Sequence, residues 1–470
     1  MTKCIVIIFL LTLLFTIILS ASSNKELIPD EDRANFGITK FIQSLLGKLQ
    51  NLFIGGKNDD TSSQKNNNNT PDKPLENKDL IQGDIMVSEQ QADDIVDVVA
   101  EEAASRGVDI SKVLSNETDV RLKRKIVANS TKWTFPIEYY VFKLDNSLID
   151  NALKLMEKKT CVRFKKSLYL NVGKPGLMYY PGEGCWSYIG KLEEKKYQDI
   201  SIGDECSVTG VVQHETMHAL GLQHEQCRAD RDKYLDIYEE NVDDYFLSNF
   251  DKLELNNTIT YNTKYDYGSQ MQYPTNAFSV NGNNTMLPHN RIYNKTLGID
   301  AGFTFLDAKA VNKHYCSEVC KNKIKCYNGG YQHPNKCYKC ACVKGYEGKR
   351  CTKLPKKKKP GCGDPIFFVT EKSQSLNQTG INDCLYHLKA PHGNKIKMLV
   401  HEVVGIPDFP IICIKNNSVE VKFIKDKTPT GALLCGKTYN KTIISENDHA
   451  IVHYRSFSKD NVMNITFNIY

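Results

Sequence analysis

The chain has 470 residues, with 61 Lys and Arg against 55 Asp and Glu and a formal net charge of +6. This small excess of positive charge gives no reason to expect a nucleic-acid partner, because proteins that bind nucleic acids concentrate basic residues on one surface. The length is sufficient for two or more domains, and changes in composition along the chain mark their boundaries.

The first 22 residues resemble a targeting segment. Lys3 is followed by an apolar run from Cys4 to Leu19 and then by small residues. The run is shorter than the ~20 residues that a membrane-spanning helix needs, and small residues at its end are typical of a cleavage site. We therefore predict a cleaved signal peptide over residues 1–22 rather than a membrane anchor, no spanning segment elsewhere, and a secreted, extracellular protein.

Two further features agree with secretion. The 16 cysteines favour a disulfide framework, because exported proteins fold in an oxidising compartment. Asn-x-Ser/Thr sequons are typical of proteins that pass through a glycosylating pathway. They occur at Asn116, Asn129, Asn256, Asn283, Asn294, Asn377, Asn416, Asn440 and Asn464.

Residues 23–124 have the composition of a propeptide. Within them, residues 57–79 are polar and rich in asparagine, which predicts a disordered linker. Ser88 could cap a short amphipathic helix that ends near Ser105. The basic sequence that ends at Arg124 is either a solvated charge cluster or a site cut by a secretory convertase, and its position before a dense apolar segment favours cleavage after Arg124.

Residues 125–316 have the pattern of a domain with an apolar core. Aromatic and β-branched residues alternate in "WTFPIEYYVF" and "CVRFKKSLYLNV", and a helix is expected around Asn146 to Lys159. These features predict an α/β unit of ordinary domain size.

The stretch "HETMHALGLQHE" indicates a metal site in this domain. Apolar spacing predicts a helix from Val208 to Leu220, so that His214 and His218 project from one face. Gly221 allows the chain to leave the helix in a left-handed conformation and to return His224 to the same point. Three imidazoles that bind one Zn²⁺ and leave a position open are typical of catalytic rather than structural zinc.

Glu215 follows the first of these histidines and is placed to accept a proton from the attacking water. The alternative is a helix with hydrogen-bonded core histidines. The spacing of all three histidines with the glycine is far less frequent by chance than a lone His-Glu-x-x-His, so we favour a hydrolytic metal site.

The extended pattern H-E-x-x-H-x-x-G-x-x-H resembles the metzincins. Glu225 after the third histidine, and "YGSQMQYP" downstream, resemble the astacin family in particular. The resemblance implies an α/β (α+β) catalytic domain with Met271 in the Met-turn below the zinc. It also implies that Tyr273 is a fifth zinc ligand that later stabilises the tetrahedral intermediate, and that Glu225 holds the new N-terminus after processing.

The resemblance also assigns a role to the propeptide. Astacin proforms carry an F-x-G-D segment whose aspartate binds the zinc, and this chain has "IQGD" with Asp84. Ile81 stands where the family favours an aromatic residue. The alternative for this sequence is an ordinary Gly-Asp turn.

The cysteines extend the comparison to the C-terminal third. Residues 317–352 resemble an EGF-like module, for which three disulfides are favoured over zinc. Residues 353–361 form a basic linker that is either a solvated spacer, which we favour, or a contact for acidic glycans. Strand-like runs predict a β-sandwich over residues 362–470 that resembles a CUB domain. The resemblance implies the disulfides Cys161–Cys316, Cys185–Cys206, Cys320–Cys337, Cys326–Cys340, Cys342–Cys351, Cys362–Cys384 and Cys413–Cys435.

Cys227 has no expected partner, and we predict a buried, inert thiol rather than a reactive one. The order of protease, EGF-like and CUB modules is similar to that of nematode astacins, a group linked to cuticle remodelling, hatching and tissue penetration. The resulting hypothesis is a multidomain, secreted zinc endopeptidase, made as a zymogen, that hydrolyses extracellular protein or peptide substrates. The alternative is a secreted adhesion glycoprotein that acts through its EGF-like and CUB modules.

Overall fold

The structure is a computed structural model that describes residues 30–54, 75–105, 132–171, 173–192, 195–253, 259–300, 302–355 and 359–470. The predicted signal peptide, the processing site at Arg124 and the sequons at Asn116, Asn129 and Asn256 lie outside these residues. Within the described ranges, every helix is too short or too polar to cross a lipid bilayer.

The segment before the central domain contains two helices and one short strand. Helix α1 spans Asp30–Ile54, β1 spans Ile85–Met86 and α2 spans Glu89–Ser105. The Ser88 hydroxyl accepts a hydrogen bond from the Gln91 amide at 3.4 Å, while the Ser88 amide donates to the Gln91 side chain at 3.1 Å. This reciprocal cap confirms the helix expected after Ser88. The sequence analysis did not anticipate α1.

Part of the predicted disordered linker was assigned wrongly. Residues 75–79 of the expected 57–79 range are described, and they pack against the central domain. The Glu76 carboxylate accepts from the Phe278 amide at 2.9 Å, and the Asn77 amide donates to the Gly83 carbonyl at 3.0 Å. Contacts with distant residues order this polar segment, and its composition does not reveal them.

The central domain, residues 132–316, is built on a six-stranded mixed sheet in the order β1-β5-β6-β4-β2-β3. Strands β2, β4 and β6 are parallel, whereas β5 runs antiparallel to β6. The edge next to β5 is occupied by β1, which pairs with it in parallel orientation. The other five strands are β2 (Ile137–Val141), β3 (Phe164–Lys166), β4 (Gly176–Tyr180), β5 (Cys185–Tyr188) and β6 (Tyr197–Ile202).

Two helices share an apolar core with this sheet. Helix α3 spans Asn146–Lys159, as expected, and begins at Asp145, whose carboxylate accepts from the Ser147 amide at 2.8 Å. Helix α4 spans Thr209–Ala219 and is buried along almost its whole length. A helix that is covered on all sides is held by the packing around it, so α4 provides a fixed base for side chains that project from it.

The second half of the central domain is mostly irregular. It contains the antiparallel pair β7 (Leu235–Ile237) and β8 (Met286–Pro288) and the helix α5 (Phe305–Tyr315). Thr304 and Asp307 form a reciprocal capping box at the start of α5. The disulfides Cys161–Cys316 and Cys185–Cys206 close this domain, and they join the expected pairs.

Residues 317–352 form a small segment with one antiparallel pair, β9 (Tyr331–Gln332) and β10 (Cys340–Ala341). Its core is covalent rather than apolar, which is typical of chains too short to bury a large hydrophobic core. The three disulfides join the expected cysteines: Cys320–Cys337, Cys326–Cys340 and Cys342–Cys351.

Residues 359–470 contain two packed sheets, which we call the C-terminal sandwich. One sheet has the order β11-β13-β18-β15-β16 and the other β12-β19-β14-β17. Their strands are β11 (Ile366–Phe368), β12 (Gln374–Thr379), β13 (Asp383–Lys389), β14 (Ile396–Val404), β15 (Val419–Lys422), β16 (Ala432–Leu434), β17 (Lys437–Ile444), β18 (His449–Arg455) and β19 (Val462–Ile469). The disulfides Cys362–Cys384 and Cys413–Cys435 match the expected pairs.

The C-terminal sandwich does not stand apart from the central domain. One continuous apolar cluster includes residues of both, and the ring of Tyr293 lies 5.5 Å from that of Phe423. The central domain and the C-terminal sandwich therefore pack directly against each other.

Candidate metal centre

Helix α4 and the turn after it bring three histidines together. His214 and His218 lie one helical turn apart on α4, and Gly221, with φ +93°, ends the helix in the expected left-handed conformation. The chain then returns and places His224 beside them. The Nε2 atoms of His218 and His224 lie 3.1 and 3.4 Å from that of His214.

The second nitrogen of each ring fixes its protonation. Because carbonyl oxygens accept only, each Nδ1 is a donor: His214 to the Gln270 carbonyl, His218 to the Leu222 carbonyl and His224 to the Gln82 side-chain oxygen. The distances are 2.8, 2.8 and 2.7 Å respectively. Burial lowers the pKa of His218 to about 4 and also lowers that of His224, so these rings are neutral near pH 7.

Asp84 from the N-terminal segment completes the cluster. Its Oδ2 lies 3.0 Å from His214 Nε2 and 3.1 Å from His224 Nε2. Three imidazole lone pairs and one carboxylate oxygen therefore converge without a hydrogen between them. This donor set fits Zn²⁺, which takes four nitrogen and oxygen ligands in tetrahedral sites.

The loop that carries Asp84 requires glycine at position 83. Gly83 has φ +79°, and a Cβ on it would lie 2.5 Å from the Leu75 carbonyl oxygen and 2.7 Å from the Phe278 ring. The preceding residue, Gln82, also has a positive φ of 51°. The expected role of Asp84 thus depends on a tight turn whose shape only glycine tolerates.

We expect Gly83→Ala to loosen this loop in the unprocessed chain. The new methyl group would meet a backbone oxygen and would occupy a φ that costs about 1–2 kcal/mol for a non-glycine residue. A chelator should then extract zinc from unprocessed Gly83→Ala faster than from the unprocessed parent chain. Gly173→Ala is the matched control, because Gly173 also has a positive φ but has open space around it. Equal extraction rates for Gly83→Ala and the parent chain would contradict the prediction.

Glu215 is buried beside the cluster. Neither of its carboxylate oxygens has a hydrogen-bond partner among the described residues. Burial, and then the charge of Asp84, raises the pKa of Glu215 well above its ordinary value. An acidic side chain in such surroundings is suited to accept and return a proton, because its charged form is not stabilised by neighbours.

Met271 and Glu225 lie close to the histidines in the chain's fold and contact each other. Met271 is buried in the core shared by α4 and the sheet, and its carbonyl accepts from the Glu225 amide at 2.8 Å. The carboxylate of Glu225 accepts from Arg228 at 3.0 Å and from the Asp266 amide at 2.8 Å. Burial raises the pKa of Glu225 to about 7, against the opposing effect of Arg228. The segment that would supply the new N-terminus lies outside the described residues.

Tyr273 lies next to the cluster without joining its ligands. Its ring centroid is 4.6 Å from that of His224, and its hydroxyl donates to the Gln82 carbonyl. The N-terminal segment therefore holds the Tyr273 hydroxyl, and Asp84 from the same segment lies among the four residues that could hold a metal ion.

No role was predicted for Gln82, and two alternatives were open for the thiol of Cys227. Gln82 binds both His224, through its side chain, and Tyr273, through its carbonyl, although the sequence motif singled out only Asp84. Cys227 is buried, as predicted, with its thiol 3.6 Å from the Asn249 carbonyl. Burial raises the pKa of Cys227 to about 12, so the thiol is not ionised near neutral pH.

Comparison with known proteins decides the family. The family profile of the astacin peptidases matches residues 125–316. Zinc metalloproteinase nas-34 of Caenorhabditis elegans is 32% identical over 420 residues, which cover 88% of this chain and 68% of the relative. The chain belongs to the astacin family.

Further proteins are similar to this chain. Zinc metalloproteinase nas-36 of Caenorhabditis briggsae is 32% identical over 488 residues, which cover 96% of this chain and 75% of that protein. Among solved structures, high choriolytic enzyme 1, a hatching enzyme zinc-protease from the medaka Oryzias latipes, shares 31% identity. That match covers 41% of this chain and 98% of the medaka chain, with a TM-score of 0.36.

Membership of the astacin family, together with the buried cluster of three histidines and an aspartate, identifies a zinc metalloendopeptidase. Its cofactor is Zn²⁺, and its substrates are peptide bonds in proteins or peptides. The mixed sheet with helix α4 corresponds to the expected α/β (α+β) catalytic domain of an astacin within a multidomain chain.

Proposed function

We propose that this chain is the secreted zymogen of an extracellular zinc endopeptidase, and that Asp84 keeps it inactive. The observation that carries the proposal is the position of Asp84 Oδ2 within 3.1 Å of two imidazole nitrogens, at the point where a catalytic site needs an open ligand position. The disulfides and sequons favour an extracellular location.

The residues around the metal support a division of labour. When bound, zinc supplies Lewis-acid polarisation and lowers the pKa of water at the open position. His214, His218 and His224 would hold it as neutral ligands, oriented by the carbonyl or amide oxygens at their Nδ1 atoms. Glu215 would act as general base and then return the proton to the leaving amine. Tyr273, once released from Gln82, would donate to the developing oxyanion.

The N-terminal segment packs against the central domain at several points besides Asp84. Asn35 of α1 donates to the Tyr188 hydroxyl on β5 at 3.0 Å, while Gln43 of the same helix donates to the Tyr245 carbonyl at 3.4 Å. Between these contacts, β1 occupies the edge of β5. Cleavage after Arg124 by a convertase would separate this segment from the central domain, and Glu225 would then receive the new N-terminus.

The C-terminal parts complete the proposal. We infer that residues 317–352 form an EGF-like module from their three disulfides, and that the C-terminal sandwich is a CUB domain. The match to this chain covers 56% of the length of zinc metalloproteinase nas-23 of Caenorhabditis elegans and 75% of the length of nas-36 of Caenorhabditis briggsae. The natural substrate is therefore proposed only as a class, extracellular, matrix or cuticle protein.

The test is a cleavage profile of the secreted chain before and after processing at Arg124. A complex peptide mixture is incubated with each form, and the cuts are mapped by mass spectrometry. We expect cuts that arise only after processing, stop when a chelator removes zinc and return when zinc is restored. Processed Glu215→Ala serves as the control. A processed chain that produces no more cuts than this control would overturn the proposal and favour an adhesion protein.

A further inference from the structure

The C-terminal sandwich contacts the central domain directly before the Met-turn. The Thr430 amide donates to Asp266 Oδ1 at 2.8 Å, and Asp266 is almost completely buried. A Cβ on Gly268 would lie 2.6 Å from the Thr430 methyl group, so the absence of a side chain at position 268 allows this close approach. The two domains therefore fit together only a few residues before Met271.

Further contacts fix the orientation of the sandwich. The Leu433 amide donates to the Thr296 hydroxyl at 2.9 Å, and the Cys413 amide donates to the Lys295 carbonyl at 2.9 Å. Ile299 packs into a cluster with the cysteines of the Cys413–Cys435 disulfide. Because buried hydrogen bonds are costly to leave unmade, an interface with several of them strongly favours one arrangement of its two sides.

Asp266 connects this interface with the region of Glu225. The Asp266 amide donates to Glu225 Oε1 at 2.8 Å, and its second carboxylate oxygen accepts from the Thr304 hydroxyl at 3.3 Å. The same side chain therefore faces the sandwich through one oxygen and the cap of α5 through the other. A shift of Thr430 would act on both neighbours.

The cap of α5 connects in turn with a metal ligand. Asp307 accepts from the Ser269 hydroxyl at 2.7 Å and from the Gln270 amide at 3.2 Å. The Gln270 carbonyl then accepts from His214 Nδ1 at 2.8 Å. Hydrogen bonds thus run without interruption from the sandwich, through Asp266 and Asp307, to the imidazole of His214.

We propose that the C-terminal sandwich positions the metal centre, with Thr430 and Asp266 as positioning residues. The sandwich fixes Asp266, Asp266 and Asp307 fix the Met-turn, and the turn orients His214 through the Gln270 carbonyl. The Gln270 carbonyl is the direct partner of His214, and the loss of such a partner typically costs 10–100-fold in metal affinity or activity, which sets the upper limit for a change passed on from Thr430. The inference rests on the proposed role of His214 as a zinc ligand. In it, the sandwich acts on the metal centre itself rather than by selecting large substrates.

The experiment uses the full chain, processed after Arg124, with a short fluorogenic peptide that is too small to reach the sandwich. Thr430→Pro removes the amide that binds Asp266, because proline has no N–H. We expect kcat to fall about 10-fold with KM unchanged, and zinc affinity to fall about 10–100-fold in a chelator competition. Ile465→Ala is the control, because it weakens the apolar core of the sandwich in the other sheet and leaves the Thr430 contact in place.

A second pair of variants tests the same contact from the side of the central domain, in case Thr430→Pro disturbs the folding of the sandwich. Asp266→Asn retains an oxygen that accepts from Thr430, whereas Asp266→Ala does not. We expect Asn to keep most of the zinc affinity and kcat, and Ala to lose both.

The opposite results would overturn the inference. One is a folded Thr430→Pro chain whose zinc affinity and kcat equal those of the parent. The other is an Asp266→Asn chain whose zinc affinity and kcat equal those of Asp266→Ala. The chelator competition does not require activity. A parent chain that binds zinc and shows the Thr430 effect without cutting any peptide would therefore refute the proposed function and leave this inference standing.

Discussion

Glu215→Gln is expected to lower kcat/KM of the processed enzyme by about 10²–10⁴-fold, the range that general acid–base catalysis usually contributes. Glutamine has nearly the same shape as glutamate but cannot accept and return a proton. The three histidines do not contact Glu215 by hydrogen bonds, since neither of its carboxylate oxygens has a partner among the described residues. The zinc content of the variant should therefore equal that of the parent chain.

Glu205→Gln provides the matched control for this prediction. Glu205 is an exposed acid that lies shortly before α4, so its replacement changes the net charge by the same amount without altering the buried site. Activity is measured on the short peptide and zinc by atomic absorption. A Glu215→Gln enzyme with more than about a tenth of the parent activity would show that another group accepts the proton.

Asp84→Ala is expected to make the unprocessed chain active. The substitution removes the carboxylate that lies against His214 and His224 and thereby opens the fourth ligand position. We expect activity on a short peptide to rise at least about 10-fold above that of the unprocessed parent, because water can then occupy the position that the carboxylate held. It should stay below the activity of the processed enzyme, because α1 and β1 still pack against the central domain and the loop between them still contacts His224 and Tyr273.

Asp79→Ala separates this effect from a general weakening of the N-terminal segment. Asp79 lies in the same segment and forms an ion pair with Lys40 at 3.1 Å, but it is not part of the cluster. The unprocessed Asp79→Ala chain should remain as inactive as the unprocessed parent. If Asp84→Ala were equally inactive, latency would depend on physical coverage of the site and not on the carboxylate.

The metal site could be predicted from sequence because its geometry is local. Helical periodicity places His214 and His218 on one face, and a glycine at position 221 is needed for the left-handed turn that follows, where φ is +93°. Such relations extend over a single turn and depend on backbone conformations that few residues adopt. Long-range ligands are harder to predict: Asp84 could be proposed only from the resemblance of a four-residue segment to a family motif.

Helix α1 could have been predicted from its apolar spacing. Apolar residues recur at helical spacing from Phe36 to Leu45, and Ile42 and Leu45 are buried against α2. The Asn-rich segment that follows predicts disorder, and no helix was predicted before it. The contact between the C-terminal sandwich and Asp266 is different, because nothing local to Thr430 indicates it. Domain docking depends on complementary surfaces, which a linear sequence does not display.

Under the function proposed for this chain, the contacts of the N-terminal segment would also determine how latency ends. Before a cut at Arg124, Asp84 and α1 belong to the same molecule as the site, and a short tether of this kind corresponds to an effective concentration on the order of millimolar. After the cut, the freed segment must find the site at its actual concentration. Inhibition then depends on dilution: enzyme released into a large volume becomes active, whereas enzyme stored at high concentration remains occupied by the segment from which it has been cut.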